Sequence, residues 1–382
     1  MKWLVGRSCS AVLGCVILLS TDLTARAAET TILPVRLRIV DATVAAEKLA
    51  GSLDFRVLAP AGKPLDSFRC AEPPSGPKDL MMDGFYADRG AGSSVVDPVR
   101  MERYRQANEA LSLFGRGFGK MTDAYLRPGA FRPEIAACAL AWLDAWTQAG
   151  SLTGNVSQQG GFVRKWMLAE LASNYLKIRL DSGLDPEMRL RVETWLSYLG
   201  GVVKEDYSTG MDRGSRRNNH SYWAAWAVMA TGVAVNNRTY FDWSITRFKA
   251  GVALIDADGA LPLEIARSSK ALHYHLFSLG PLVLMAETAA VNGIDLYGTP
   301  DDPLARLVIR TLSGLDDPVW FRARAGAEQS WVGKLTGEKL AWLPVWSSRF
   351  SHPLSTRWGK AFDRYLARRL GGDLGAVFAA GQ

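Results

Sequence analysis

The chain has 382 residues, 22% of them charged, with a formal net charge of +7 and thirteen tryptophans. Its basic residues form no concentrated arm, which excludes nucleic acid as the expected partner. Residues 1–27 read as an export leader: Lys2 and Arg7 form the basic end, 11–19 the apolar core, and Ala25-Arg26-Ala27 the small-residue cleavage site. The apolar core is too short to span a membrane, and no later stretch reads as long and apolar enough to do so. The mature protein is therefore expected in the periplasm or outside the cell, without membrane insertion. Losing the leader removes three basic residues and one acidic residue and leaves +5, which suits a polyanionic partner. Cys9 and Cys15 leave with the leader. Cys70 and Cys138 remain, and in an oxidising compartment a disulfide is the expectation. Two cysteines alone do not make a structural zinc site.

In chain order, residues 28–69 lack helical periodicity apart from a short piece at 42–51, and read as an N-terminal extension. Residues 70–98 are rich in Pro, Gly, Ser and Asp. A loop of that length is usually functional or disordered. The Gly84-Phe85-Tyr86-Ala87-Asp88-Arg89-Gly90 stretch within it suits an ordered binding loop or lid. From Val99 onward one helical segment follows another: 101–126, 134–148, 162–180, 186–205, 222–235, 239–255, 271–291 and 303–312. Gly115-Arg116-Gly117-Phe118-Gly119-Lys120 fits neither phosphate-binding pattern and reads as a glycine-rich break in the first long helix. Several segments end on glycine (Gly150, Gly183, Gly259, Gly293), as helix C-termini commonly do. Strand alternation is scarce. Short connections imply antiparallel helical hairpins, and the length suggests one all-α domain curved into a barrel or toroid. Most tryptophans belong in its core. Trp142, Trp146 and Trp223 are candidates for stacking on sugar rings.

Two stretches carry the chemistry. Arg216-Arg217-Asn218-Asn219-His220-Ser221-Tyr222-Trp223 runs directly into an apolar segment, so it lies at a helix N-terminus with Asn218 or Asn219 as N-cap. A helix start favours an anionic ligand. Leu261-Pro262-Leu263-Glu264 follows, then Arg267, then Ala271-Leu272-His273-Tyr274-His275. Arg267 and Tyr274 are seven apart, two helical turns, and on a helix they share a face. His273 and His275 point apart on a helix, so a shared metal is not expected, and His275 reads as a structural histidine. Asp256, Asp258 and Glu264 keep an inverting glycoside hydrolase open as an alternative. A non-catalytic periplasmic polyuronate-binding protein is a third.

These residues resemble the bacterial periplasmic alginate lyases, the poly(β-D-mannuronate) lyases and their polyglucuronate-cleaving relatives. The match runs through Asn218 to Trp223, Leu261-Pro262 with Glu264, Arg267, Tyr274-His275, Ala137-Cys138-Ala139-Leu140, Arg164-Lys165-Trp166 and Arg369-Leu370-Gly371-Gly372. It covers residues 70–382, which would form the catalytic domain. The resemblance implies an incomplete α/α toroid with a long substrate cleft, and β-elimination on a β-1,4-linked polyuronate without metal or cofactor. Asn219 and Arg267 would neutralise the uronate carboxylate. Tyr274 would protonate the leaving O4, and His220 or Tyr274 would remove the C5 proton. Tyr86, Arg217, Tyr222, Trp142, Trp146 and Arg369 would bind substrate. Arg267 is expected to lower the pKa of the Tyr274 phenol. Alginate-specific members carry a Lys-Tyr pair in the lid. Phe85-Tyr86 stands here instead, more like members acting on polyglucuronate or several polyuronates. A monomer is expected.

Overall fold

The computed structural model describes residues 33–34, 49–54, 63, 65–87 and 94–378. The expected leader lies outside the described residues, as do 42–48 of the short helix and Asp88 to Gly90 of the lid.

Fourteen α-helices are described: α1 (Pro98–Ala107), α2 (Glu109–Tyr125), α3 (Arg132–Gln148), α4 (Gln158–Tyr175), α5 (Pro186–Asp206), α6 (Asn219–Ala234), α7 (Arg238–Val252), α8 (Pro262–Ile265), α9 (Ala271–Val291), α10 (Pro303–Asp316), α11 (Val319–Ala325), α12 (Leu343–Ser347), α13 (Pro353–Trp358) and α14 (Leu374–Phe378). Their starts are written in the sequence. Asp97, Ser157, Asp185, Asn218 and Asn237 each accept a hydrogen bond from a first-turn N–H, and Pro opens α1, α5, α8 and α10.

The helices build an incomplete α/α toroid around α6. Helices α4, α5, α7 and α9 all pack on α6, α3 packs on α2 and α5, and α10 on α9. Every residue of α6 is buried except His220. A helix apolar on all sides must be surrounded. Its one incompletely buried residue marks the end that opens to the cleft. Two short antiparallel pairs complete the described structure: Leu33–Pro34 with Phe350–Ser351, and Leu366–Ala367 with Gly372–Asp373.

Two expectations change. The first long helix does not break at its glycines: α2 runs unbroken through Gly115 to Lys120, and the chain divides at Asn108 instead. The glycines serve close packing. A Cβ on Gly115 would lie 1.9 Å from Glu170 Oε1, and one on Gly117 would lie 2.6 Å from the Trp142 ring. Second, a late stretch is long and apolar enough to cross a membrane, Ser268–Val291, but 83% of its most apolar window is buried in the protein, as befits a core helix. The N-terminal extension contributes to the core. Leu53 is fully buried, and Asp54 pairs bidentately with Arg179 of the α4–α5 connection at 2.8 and 2.7 Å. The Leu49 and Ala50 N–H groups donate to Asn236 and Asn292, just past the ends of α6 and α9.

Cys70 and Cys138 are joined by a disulfide. The bond and two indole N–H donors, Trp142 to the Ala71 carbonyl and Trp146 to that of Pro74, fasten the 70–79 coil to α3.

Candidate active site

The start of α6 faces a cavity of about 1120 Å³, lined from the Gly84–Tyr86 loop across α4 and α6 to Lys339 and Trp342. Asn218 caps the helix by accepting from the His220 N–H at 3.0 Å. That cap turns Asn219 inward. Its backbone N–H and its Nδ2 both donate to Glu264 Oε1, at 2.7 and 2.9 Å. Glu264 is buried on α8, where Pro262 sets the first helical φ. Burial raises the Glu264 carboxyl pKa, with Arg267 and Asn219 pulling the other way. The remaining oxygens of this pair, Asn219 Oδ1 and Glu264 Oε2, are buried without a hydrogen-bond partner. His275 supports the turn from behind: Nε2 accepts from the Leu261 N–H at 3.0 Å, and Nδ1 donates to the Ala271 carbonyl at 2.8 Å. It is a structural histidine, held neutral by burial, with a pKa lowered to about 4.

Arg267 and Tyr274 meet, though not as neighbours on one helix. Ser268 has φ of 53°, a 3₁₀ turn spans Ser268–Lys270, and α9 begins only at Ala271. The kink lays the Arg267 guanidinium flat over the Tyr274 ring, 3.7 Å from its centre, and 5.6 Å from the Tyr86 ring. The Tyr86 and Tyr274 hydroxyls are 2.5 Å apart. Tyr86 is held by a loop ladder: the Ala87 N–H bonds the Val95 carbonyl, the Asp97 N–H bonds that of Phe85, and Arg100 donates to the Tyr86 carbonyl. The expected lowering of the Tyr274 pKa is reversed. Arg267 and Tyr86 pull it down, but burial outweighs them and the phenol is raised, so Tyr274 is a neutral proton donor at rest.

His220 stacks on Phe162 and Trp166, with ring centres 3.9 and 5.8 Å away. Its pKa lies well below the usual range because of burial, then Lys165, Arg267 and Arg216. Arg369 sits 4.7 Å above the Trp166 ring and lines the same cavity.

Other expected binders lie elsewhere. Trp142 and Trp146 are buried between α3, the 70–79 coil and Phe114. Tyr222 is buried against Gly251 and donates its hydroxyl to the Arg217 carbonyl, while the Arg217 side chain is exposed outside the cavity. Tyr222 is two residues beyond His220 on a helix, about 200° around the axis, which turns it from the cleft. Trp223 does line the cavity, its indole N–H bound to the Phe277 carbonyl. The three carboxylates that kept a hydrolase open, Asp256, Asp258 and Glu264, do not line the cavity. Asp256 accepts from the Ala260 N–H. Among the described residues no group of three or more His, Cys, Asp or Glu is placed to hold a metal.

Residues given no site role from the sequence also line the site, among them Phe162, Trp166 and His273. Phe162 and Trp166 bracket Lys165 at spacings of three and one, and a lysine inside an apolar helix was the available signal. His273 faces the cavity with its Nδ1 buried and unpartnered. Burial, Lys339, Lys270 and Arg267 lower its pKa to about 3.

Residues 85–321 match the family model described as alginate lyase. An alginate lyase of Azotobacter vinelandii is 37% identical over 308 residues, covering 78% of this chain and 81% of that one. A polysaccharide lyase of Stenotrophomonas maltophilia is 35% identical, covering 80% and 89%. Among solved structures, alginate lyase A1-III from Sphingomonas species A1 superposes with a TM-score of 0.74 over 88% of this chain and 98% of that one, at 22% identity, a likeness of fold.

Proposed function

The chain belongs to the alginate lyase family, and from that premise we propose that it is exported and cleaves β-1,4-linked polyuronates with mannuronate or glucuronate configuration, using Asn219, His220, Arg267 and Tyr274. Its activity is that of a polysaccharide lyase on alginate-type polyuronates. The observation that carries the residue assignment is the convergence of Arg267, Tyr274 and Tyr86 on the cavity that Asn219 and His220 also line.

The chemistry explains the set. The C5 proton of a uronate is barely acidic while its carboxylate is charged, so that charge and the enolate-like charge that follows must be neutralised. Arg267 and the Asn219 amide serve the carboxylate. The C5–H electron pair becomes the C4=C5 double bond. The C4–O4 pair leaves with the glycosidic oxygen, which takes a proton from the Tyr274 hydroxyl. The neutral Tyr274 is suited to that donation when His220 receives the C5 proton; for Tyr274 to receive that proton and pass it to O4, its own proton must first leave to solvent. No water enters, so the products are an unsaturated ring and a new chain end. Mannuronate and glucuronate differ only at C2 and present C5–H and O4 alike. Guluronate is inverted at C5.

Phe85 supports a broad substrate range. It packs tilted against Tyr86 and Tyr104, with ring centres 4.6 and 5.1 Å away, and sets a ring beside Tyr86 where a lysine would set a cation. The leader-like residues 1–27 support a periplasmic or secreted location.

The test is ultraviolet absorbance of the unsaturated product against polymannuronate, polyglucuronate, polyguluronate and hyaluronan. Absorbance should grow with the first two and not with polyguluronate. New reducing ends without absorbance would mean hydrolysis, and binding without cleavage a scaffold role. Either outcome sinks the assignment.

A further inference from the structure

A fully buried lysine stands behind His220. Lys165 Nζ lies 2.7 Å from His220 Nδ1 and 2.7 Å from the Tyr207 hydroxyl. Three aromatic faces surround the same atom: Phe162 at 4.4 Å, Trp166 at 5.0 Å and Tyr207 at 5.0 Å. The far face of Tyr207 is covered by Arg216, 4.2 Å from the ring centre. Two hydrogen-bond acceptors and three π faces around one nitrogen suit an ammonium. Burial, then the Arg216 and Arg369 guanidinium groups, push the Lys165 pKa well below the usual lysine value, with Asp206 pulling the other way; the ammonium rests on the two acceptors and three rings that surround it.

An ammonium has donors and no acceptor. Its bond to His220 therefore requires a bare Nδ1, and a neutral imidazole then keeps its proton on Nε2. With Nδ1 tied to Lys165, Nε2 is the nitrogen left for the cleft. We propose that Lys165 is a positioning residue that holds His220 as the Nε2–H tautomer, so that His220 donates a hydrogen bond to the bound uronate and cannot act as the base. An Nε2–H has no lone pair for the C5 proton. The inference rests on the lyase reading above and adds a residue to it.

The decisive measurement is a long-range ¹H–¹⁵N correlation spectrum of the native enzyme, which distinguishes a bare ring nitrogen from a protonated one. The chain has four histidines, and those signals lost in His220→Gln belong to His220. Nδ1 should be bare and Nε2 protonated at neutral pH; a protonated Nδ1 overturns the proposal whatever the variants do. Lys165→Met removes the donor and keeps the bulk. It should lower kcat by about 10²-fold with a smaller change in KM. It should also let the imidazolium form at higher pH, because a cation beside the ring is removed while Arg267 and Arg216 remain to oppose the charge and Phe162 and Trp166, which carry none, stack on it. A folded Lys165→Met with parental kcat and unchanged tautomer also overturns it. Failure of the native protein to produce ultraviolet-absorbing product would defeat the lyase reading, while the spectrum would still report the tautomer.

Discussion

At the scale of single residues the site separates charge from proton transfer, and two substitutions should read that separation. Tyr274→Phe keeps the ring beneath the Arg267 guanidinium and removes only the hydroxyl bonded to Tyr86. Turnover should fall by about 10⁴-fold or more, because the one group serves twice, while polymer affinity stays within a few-fold of the parent. Parental turnover would move the search for the acid to Tyr86, since Tyr222 faces away. Arg267→Ala removes a cation held against both tyrosines. Affinity and turnover should fall together, and binding measured by titration calorimetry should lose part of its salt dependence. Loss of turnover with unchanged binding would mean that Arg267 meets the transition state alone.

At the scale of elements, α2 inverts a common rule. A glycine inside a helix ordinarily costs about 0.5–1 kcal/mol relative to alanine. Gly115→Ala should instead destabilise by roughly 1–3 kcal/mol, because the added methyl meets the buried Glu170 carboxylate. Urea unfolding decides the sign; a stabilised variant would mean that Glu170 can move aside. The same element shows what the sequence could and could not tell. Helix positions were legible because caps and periodicity are local. Asn218 caps α6 as its residue type suggests, and α9 spans Ala271–Val291 as its apolar run predicts. The glycines misled because a glycine that admits another helix and one that breaks its own look alike without the partner in view. Trp142 and Trp146 misled for a related reason: the coil carbonyls that bind their indoles lie about 70 positions away. Asn219, His220, Arg267 and Tyr274 stood out because their residue types are chemically uncommon together, and all four line one cavity, with Arg267 against Tyr274. Their contact was right and its cause wrong, since Ser268 at positive φ, not helical periodicity, brings Arg267 onto Tyr274.

At the scale of the whole molecule, buried neutral groups should make stability depend on acid. His220, His273 and His275 all have lowered pKa values in the folded state. The unfolded chain binds protons first, from about pH 6.5. Their contribution is therefore complete above that pH and is lost as pH falls toward about 4 and 3, the values for His275 and His273. Glu170 and Glu264, raised by burial, oppose this in part. Unfolding free energy measured from pH 7 to 4 should decline; a flat or rising curve would mean that the two carboxyls dominate. The segment at 49–54 adds a consequence in time. Its Asp54 holds the buried Arg179, and its backbone bonds Asn236 and Asn292, 187 and 242 positions away. The disulfide needs only 138 residues of chain, whereas this strap gains Arg179 and Asn236 in turn and is complete only when residue 292 has emerged. Contacts so distant along the chain tend to form last. Asp54→Ala should cost about 3–5 kcal/mol and show almost all of it as faster unfolding, with refolding nearly unchanged. A chain delivered from its N-terminus must therefore keep this segment only partly fastened, and open to proteases, until three-quarters of its length has followed.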